Sequence, residues 1–359
     1  MEKENNTSTI SVAMNGGDGI NSYANNSSFQ KVAVDGAKGM IREAIKEKLD
    51  IQQMFSSFPS KTICIADLGC SVGPNTFTAV QNIIEEIEHK YYSQGLSLQI
   101  PEFQVFFNDH VCNDFNKLLT SLPSERQYFA AAVPGSFYNR LFPKASLHFV
   151  HSSYSLQWLS KIPKEVEDVN SPAWNKGRIS YGDAPKEVVE AFSNQYVKDV
   201  ETFLWARAQE VVSGGLVALI LPTYPMETLS EKSFPLSVDL LGTCLMEMAK
   251  KGLVSESEVD SFNVPCYVPS VKELEKAIKS NGCFGVERLE LLKTKGGLDA
   301  QTISMHHRAA LEGLISKNFG AEITDELFAL FADKLAEYSH FYNPENRIFA
   351  DLFVLLKKK

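Results

Sequence analysis

The residues best suited to chemistry stand in the run Asp67-Leu68-Gly69-Cys70-Ser71-Val72-Gly73-Pro74-Asn75, directly after a short β-branched and apolar stretch. Two glycines between a strand and a helix let backbone approach a ligand closely, with N–H groups pointing outward. That is a cofactor loop, or more plainly a tight turn. The spacing is G-x-x-x-G, not the G-x-G-x-x-G of dinucleotide sites, and Pro74 follows at once. The next acidic strand terminus, Asp109, comes well beyond the ~20 residues at which a ribose-binding acid follows that fingerprint. Both facts disfavour NAD. A Walker loop is excluded, because the turn holds no Gly-Lys-Ser or Gly-Lys-Thr.

Three further strand ends carry polar groups. Asn108-Asp109-His110 offers a carboxylate able to accept two ribose hydroxyls, or else an N-cap for the next helix. Pro134-Gly135-Ser136-Phe137-Tyr138 is a sharp turn with a hydroxyl and an aromatic face, either of which can hold an adenine. His151-Ser152-Ser153-Tyr154-Ser155-Leu156-Gln157-Trp158 combines small polar residues with Tyr and Trp, a composition suited to a ligand.

Positioning these groups requires a βαβ frame. Thr62 to Leu68 reads as a strand, and Thr76 to His89 as a helix, with Phe77, Val80, Ile83, Ile84 and Ile87 at helical spacing. Phe103 to Phe107, Tyr128 to Val133, Leu147 to Val150 and Leu216 to Leu221 are unbroken apolar runs, the pattern of strands covered on both faces. Lys186 to Val212 reads as a long helix stopped by Gly214-Gly215. Phe284 to Leu291 and Ile348 to Leu356 are expected to close a mainly parallel sheet as an antiparallel pair. In such a fold ligands bind at the carboxyl ends of the strands. The segments 163–183, 226–280 and 302–343 are expected to form a helical cap, on an α/β core built from 31–222 and part of 284–359.

Composition sets the outer bounds. The chain has 359 residues, a prior for two domains or for one large α/β domain with insertions at about 150 residues each. Hydrophobic residues make up 44% and charged residues 22%, so a large buried core is expected. A net charge of −9 without a long basic run argues against nucleic acid. The longest clean apolar run is far short of the ~20 residues of a membrane span, and the first 28 residues, rich in Asn, Ser and Gly, lack the apolar stretch of a secretory signal. The six cysteines show neither metal-ligand nor disulfide-framework spacing, which fits a reducing, cytoplasmic setting. Lys357 to Lys359 read as a solvated tail.

The chain resembles the plant SABATH methyltransferases, which methylate small carboxylic acids or xanthine-type nitrogens. The resemblance runs from about Ala13 to Lys357. It rests on Met14-Asn15-Gly16-Gly17-Asp18-Gly19 with Asn21-Ser22-Tyr23, on Ala66 to Asn75, on Asn108-Asp109, on Val133 to Tyr138 with Arg140 to Pro143, and on His151 to Trp158. Arg207 to Val212 and Asp260-Ser261-Phe262-Asn263 with Pro265 extend it. It implies a Rossmann-like class I methyltransferase core, a mostly parallel seven-stranded sheet with an α-helical cap, and a segment 1–30 that closes over the site. It implies that Tyr23, Gly69, Cys70, Asn75, Asn108, Asp109, His110, Ser136 and Phe137 hold S-adenosyl-L-methionine, with Ser152, Ser153 and Tyr154 near its methionine moiety. Tyr23, Gln30, Tyr154, Gln157 and Trp158 match acceptor-contacting positions, Gln30 and Trp158 as donors to the carboxylate. A Mg²⁺ site is implied at Asn175, Asp260, Phe262 and Asn263, with an Asx-turn at Asp260 to Asn263 as the plain alternative. A homodimer is implied as well.

The chain also departs from the family pattern. Asn15 stands where salicylate methylators carry lysine, which weakens any claim for that acid, and Val72, His110 and Asn139 replace the commoner serine, leucine and glycine. His306 and His307 match an acceptor-lining stretch or are ordinary core histidines. The expectation is methyl transfer to the carboxylate of a small, partly apolar acid. N-methylation of a purine-like or pyridine-like ring, and a binding protein without turnover, are the competing readings.

Overall fold

A computed structural model describes residues 12–51, 62–224, 233–292, 299–338 and 350–359. Seven strands form one sheet in the order β3-β2-β1-β4-β5-β7-β6. They are β1 (Thr62–Leu68), β2 (Glu102–Asp109), β3 (Phe129–Pro134), β4 (Leu147–Ser153), β5 (Val211–Thr223), β6 (Phe284–Leu292) and β7 (Ala350–Lys358). The first five run parallel, and β7 lies antiparallel between β5 and β6. The expected α/β class and the closing antiparallel pair are both present. Parallel order brings the carboxyl ends of β1 to β4 to one edge, where the polar loops emerge.

Ten α-helices complete the described chain: α1 (Tyr23–Asn26), α2 (Ser28–Lys48), α3 (Pro74–Ser93), α4 (Phe115–Thr120), α5 (Lys186–Glu210), α6 (Ser233–Lys250), α7 (Glu256–Ser261), α8 (Val271–Asn281), α9 (Ala300–Phe319) and α10 (Thr324–Glu337). Pro74 opens α3 at a position whose N–H would be unsatisfied anyway, and Gly73 before it is extended. On α8, Ser270 and Glu273 form a reciprocal capping box, and Gly282 at φ 71° ends the helix. Ile41, Ile45, Val80 and Ile83 bury one face of the sheet against Ile65 and Phe149. Phe192, Tyr196, Phe203 and Ile278 cover the other against Val150 and Val217. A third cluster, with Leu241, Leu245, Ile315 and Phe331, joins α6, α9 and α10.

Three expectations need correction or bounding. Helix α5 stops at Glu210, and Gly214-Gly215 lie inside β5 rather than ending the helix. Val211 already pairs with Leu147, and the register shifts before Phe149 pairs with Leu216, so the glycines make a bulge. Gly214 has φ 80°, and a Cβ on Gly215 would stand 2.7 Å from Val211 Cγ1 and 3.1 Å from the His148 carbonyl oxygen. Lys357 and Lys358 are not a tail: they belong to β7, and Lys357 Nζ donates to the Lys48 carbonyl at 2.9 Å. Ile348 and the expected cap segments at 226–232 and 339–343 lie outside the described residues. Segment 163–183 is irregular apart from the turn Lys164–Val166.

Candidate active site

The loop after β1 is fixed from below. Gly69 and Cys70 donate their N–H groups to the Asn108 carbonyl at 2.8 and 3.0 Å. Gly69 has φ 80°, and a Cβ there would sit 2.0 Å from Ser155 Oγ, so only glycine fits between the loops after β1 and β4. Ser71, in the left-handed region at φ 51°, donates to Asp109 Oδ2 at 2.7 Å, and the His110 N–H donates to Oδ1 at 2.7 Å. Asp109 therefore organises the loop while each oxygen keeps lone-pair capacity. Burial raises its carboxyl above the ordinary range, against the pull of those two N–H groups. Burial also raises the Tyr23 phenol, with the carboxylates of Asp109 and Asp67 adding to it. The Cys70 thiol is likewise pushed well up, first by burial.

Two cavities adjoin at Tyr23 and Gly69. The larger is lined by Tyr23, Gly69, Asp109, His110, Ser136, Phe137, Tyr154 and Trp158, together with Met14, Pro265, Ala310 and Leu314. The smaller takes in Gln30, Asp67, Cys70, Asn75, His151 and Ser153. Most of the expected cofactor residues thus meet, and Trp158 shares a chamber with Asp109. Gln30 opens into the smaller cavity, its Oε1 buried with no partner among the described residues.

Asn108, Ser152 and Gln157 line neither cavity. The Asn108 amide donates to the carbonyls of Val133 and Gly135 at 2.8 and 2.9 Å, bracing the end of β3. Ser152 Oγ donates to the Leu68 carbonyl at 2.8 Å, and Gln157 Nε2 to that of Tyr154 at 2.7 Å. The donors of these three side chains go to backbone, while Asn108 Oδ1 and Gln157 Oε1 stay buried with no partner among the described residues. Asn75 lines the smaller cavity but also donates to Ser27 Oγ and its carbonyl, both at 3.0 Å.

The structural roles of several residues escaped the sequence reading. Arg207, fully buried, donates to Glu210 Oε2 at 2.7 Å and to the carbonyls of Phe137 and Asn139 at 2.6 and 2.9 Å. Glu210 Oε1 accepts the N–H groups of Leu141 and Phe142. The end of α5 therefore clamps the turn that supplies Ser136 and Phe137. Tyr154, at φ 54°, donates its hydroxyl to Asp351 on β7 and stacks edge-on against Phe29 at 5.5 Å. A carboxylate directly before the apolar run Leu352 to Leu356 of β7 was the available signal for Asp351.

His307 is buried, with Nδ1 2.9 Å from the Ile303 carbonyl and Nε2 2.9 Å from Ser237 Oγ, and burial lowers it to about 3. His306 touches the Phe29 ring at 6.2 Å and is also lowered by burial. Neither lines the two cavities described.

At the expected metal position, Asn175, Asp260 and Asn263 do converge. Asn175 Nδ2 donates to Asn263 Oδ1 at 2.8 Å, and Asp260 Oδ1 accepts the Gly177 N–H at 2.7 Å, so Asp260 bridges two segments rather than forming an Asx-turn. Asn175 Oδ1 is buried without a partner among the described residues, an oxygen of the hard type a Mg²⁺ ion accepts. Among those residues no group of three His, Cys, Asp or Glu gathers to hold a metal, so the set is poor in charge.

A seven-stranded sheet of this order, with a glycine turn after β1 and an acid after β2 facing one cleft, defines a class I S-adenosylmethionine-dependent methyltransferase. Residues 9–359 match the family described as SAM dependent carboxyl methyltransferase, and the chain belongs to it. It is 50% identical over 351 residues to loganic acid O-methyltransferase of Catharanthus roseus, covering 96% of this chain and 94% of that one. Farnesoic acid carboxyl-O-methyltransferase of Arabidopsis thaliana is 43% identical over 333 residues, covering 92% and 94% respectively. A solved structure of loganic acid methyltransferase with SAH superposes with a TM-score of 0.92 at 49% identity, over 96% of this chain and 98% of that one. The chain is an S-adenosylmethionine-dependent carboxyl O-methyltransferase, as the resemblance implied. No described helix is long and apolar enough to cross a membrane.

Proposed function

We propose that the acceptor is a small, partly apolar carboxylic acid, of the kind represented by loganic and farnesoic acids, and that Gln30 and Trp158 orient its carboxylate. One observation carries this reading: Trp158, Leu159, Ala310 and Leu314 line the same cleft as Asp109, Ser136 and Phe137. An apolar wall with an indole thus faces the polar groups of a cofactor loop. Asp109 would take the ribose hydroxyls, Ser136 and Phe137 the adenine, and Tyr23, Gly69, Cys70 and Asn75 the rest of S-adenosylmethionine. His110 would stand at the rim and Tyr154 between cofactor and acceptor.

The cofactor supplies an activated methyl on a sulfonium. A carboxylate, with a pKa of about 4, is already ionised at neutral pH, so no side chain must take a proton. The chain's task is to hold the acceptor oxygen about 3 Å from the methyl, in line with its bond to sulfur, where positioning supplies on the order of 7–11 kcal/mol. Segment 1–30 would close the cleft, a reading supported by Ala13, Met14 and Tyr23 in its wall. The family resemblance supports a homodimer, and six free cysteines support a reducing cytoplasmic setting.

A Mg²⁺ ion at Asn175, Asp260, the Phe262 carbonyl and Asn263 would brace the cap without entering the reaction. Chelation should then lower Tm, reversibly on adding Mg²⁺, while kcat stays unchanged below the melting range; an unaltered Tm would remove the ion from the account.

The deciding experiment is transfer of labelled methyl to a panel containing loganic acid, farnesoic acid, benzoic acid and N-heterocycles, with products sorted by mild base. Base-labile label on an acid is expected, and it should fall at least tenfold in kcat/KM for both Trp158→Phe and Gln30→Ala. Base-stable label would move the assignment to N-methylation. Unchanged kcat/KM in both variants would sink the carboxylate clamp.

A further inference from the structure

His151, in the wall of the smaller cavity, is 1% exposed and has one ring nitrogen without a partner among the described residues. On adjacent parallel strands Asp67 and His151 are register partners, so their side chains leave the same face of the sheet. His151 Nδ1 lies 2.7 Å from Asp67 Oδ1, while Thr76 Oγ1 donates to the other oxygen. A carboxylate can only accept, so a ring proton sits on Nδ1, and in the neutral imidazole Nε2 carries the lone pair. That Nε2 is buried and has no partner among the described residues. A buried acceptor left unmade costs about 1–3 kcal/mol, so the fold retains it against a penalty.

The smaller cavity gives that nitrogen its outlet. His151 lines it beside Gln30, Cys70, Asn75 and Ser153, and Ser153 Oγ and Gln30 Oε1 are orphaned in the same way. Three unpaired polar atoms around one chamber, next to the Asp67 carboxylate, call for a ligand that brings several donors and a positive charge. The chamber meets the larger cavity at Tyr23 and Gly69, where a ligand lying along the glycine loop passes from one to the other. Of the parts of S-adenosylmethionine, only its amino-acid end carries an ammonium.

We propose that His151, held by Asp67 and Thr76, is a cofactor-binding residue whose Nε2 accepts a hydrogen bond from the α-ammonium of S-adenosylmethionine in the smaller cavity. This rests on the reading that the two cavities together hold that cofactor. The interaction lies remote from the methyl: it fixes how far the cofactor slides along the loop, and through that the position of the sulfonium.

Calorimetry with three ligands tests it: S-adenosylhomocysteine, its deamino analogue and 5′-methylthioadenosine, which lacks the amino-acid end. The wild-type chain should bind the deamino analogue at least tenfold more weakly than S-adenosylhomocysteine. His151→Asn should lose at least tenfold in affinity for S-adenosylhomocysteine while binding 5′-methylthioadenosine as the wild type does, which also shows the variant folded. Equal loss for both ligands, or none, would overturn the assignment. Should the variant fail to fold, the wild-type comparison still decides, because equal affinity for S-adenosylhomocysteine and its deamino analogue overturns it. If the wild type bound none of the three, the cofactor reading itself would be at fault.

Discussion

At the residue scale, Gly69 carries the sharpest constraint in the site. Its φ of 80° costs an L-residue roughly 1–2 kcal/mol, and a Cβ would overlap Ser155 Oγ at 2.0 Å. Gly69→Ala should therefore weaken S-adenosylhomocysteine binding at least tenfold in calorimetry. Gly69→Ala with Ser155→Gly should recover part of that loss, since the overlap goes and the backbone strain stays; no recovery would mean the contact between the two loops is not what limits binding. The need for a glycine there was legible in the sequence, and so was an acid at Asp109. What the sequence could not tell is how polar groups divide their bonds. Asn108, Ser152 and Gln157 look like ligand residues in a linear reading, yet carbonyls take their donors, those of neighbouring strands for Asn108 and Ser152 and that of Tyr154 in the same loop for Gln157. Asp109 looks like a ribose acceptor and first of all holds two backbone N–H groups. Partners that stand far apart in sequence become visible only once the strands are in register.

At the element scale, the end of α5 does work that its sequence concealed. Lys186 to Val212 followed by two glycines satisfies the usual signs of a helix with a glycine stop, but β-branched Val211 and Val212 favour the strand and pair into it. The glycines then serve the bulge. Strand positions were read closely because the apolar runs are unbroken and β1, β4, β5 and β7 are largely buried on both faces; helix ends were less legible, since tertiary contacts decide them. Here the contacts are those of the Arg207–Glu210 pair, both side chains fully buried, which ties α5 to the turn after β3. Removing one partner of such a pair leaves an uncompensated buried charge and costs about 3–5 kcal/mol. Arg207→Met should lower the urea midpoint accordingly. Arg207→Lys keeps the charge but not the fork that reaches Phe137 and Asn139, so it should recover part of the stability while KM for S-adenosylmethionine stays raised. A Lys variant with wild-type KM would show that the fork does not position Ser136 and Phe137.

At the scale of the whole molecule, His307 on α9 and Asp239 on α6 set opposing dependences of stability on pH. His307 is held neutral by burial and lowered to about 3, so the folded state binds fewer protons than the unfolded one from about 6.5 downward. Its contribution is full above pH 6.5 and is lost as pH falls towards 3. Asp239, half-buried and accepting from Ser180 Oγ, is raised to about 6 by desolvation. The folded state then binds more protons than the unfolded one between about 3.8 and 6, and stability drains away as pH rises through that window. Across roughly pH 4 to 6 the two slopes have opposite sign and largely cancel. Asp239→Asn keeps an acceptor for Ser180 and removes one slope only. Measured by urea unfolding, its stability relative to the wild type should rise by about 2 kcal/mol between pH 4 and pH 7 and hold level above that. The variant alone should also lose stability steeply from pH 6 to 4, with the His307 slope exposed. A difference between variant and wild type that stays constant with pH would mean that Asp239 titrates in the folded protein as it does in the unfolded chain.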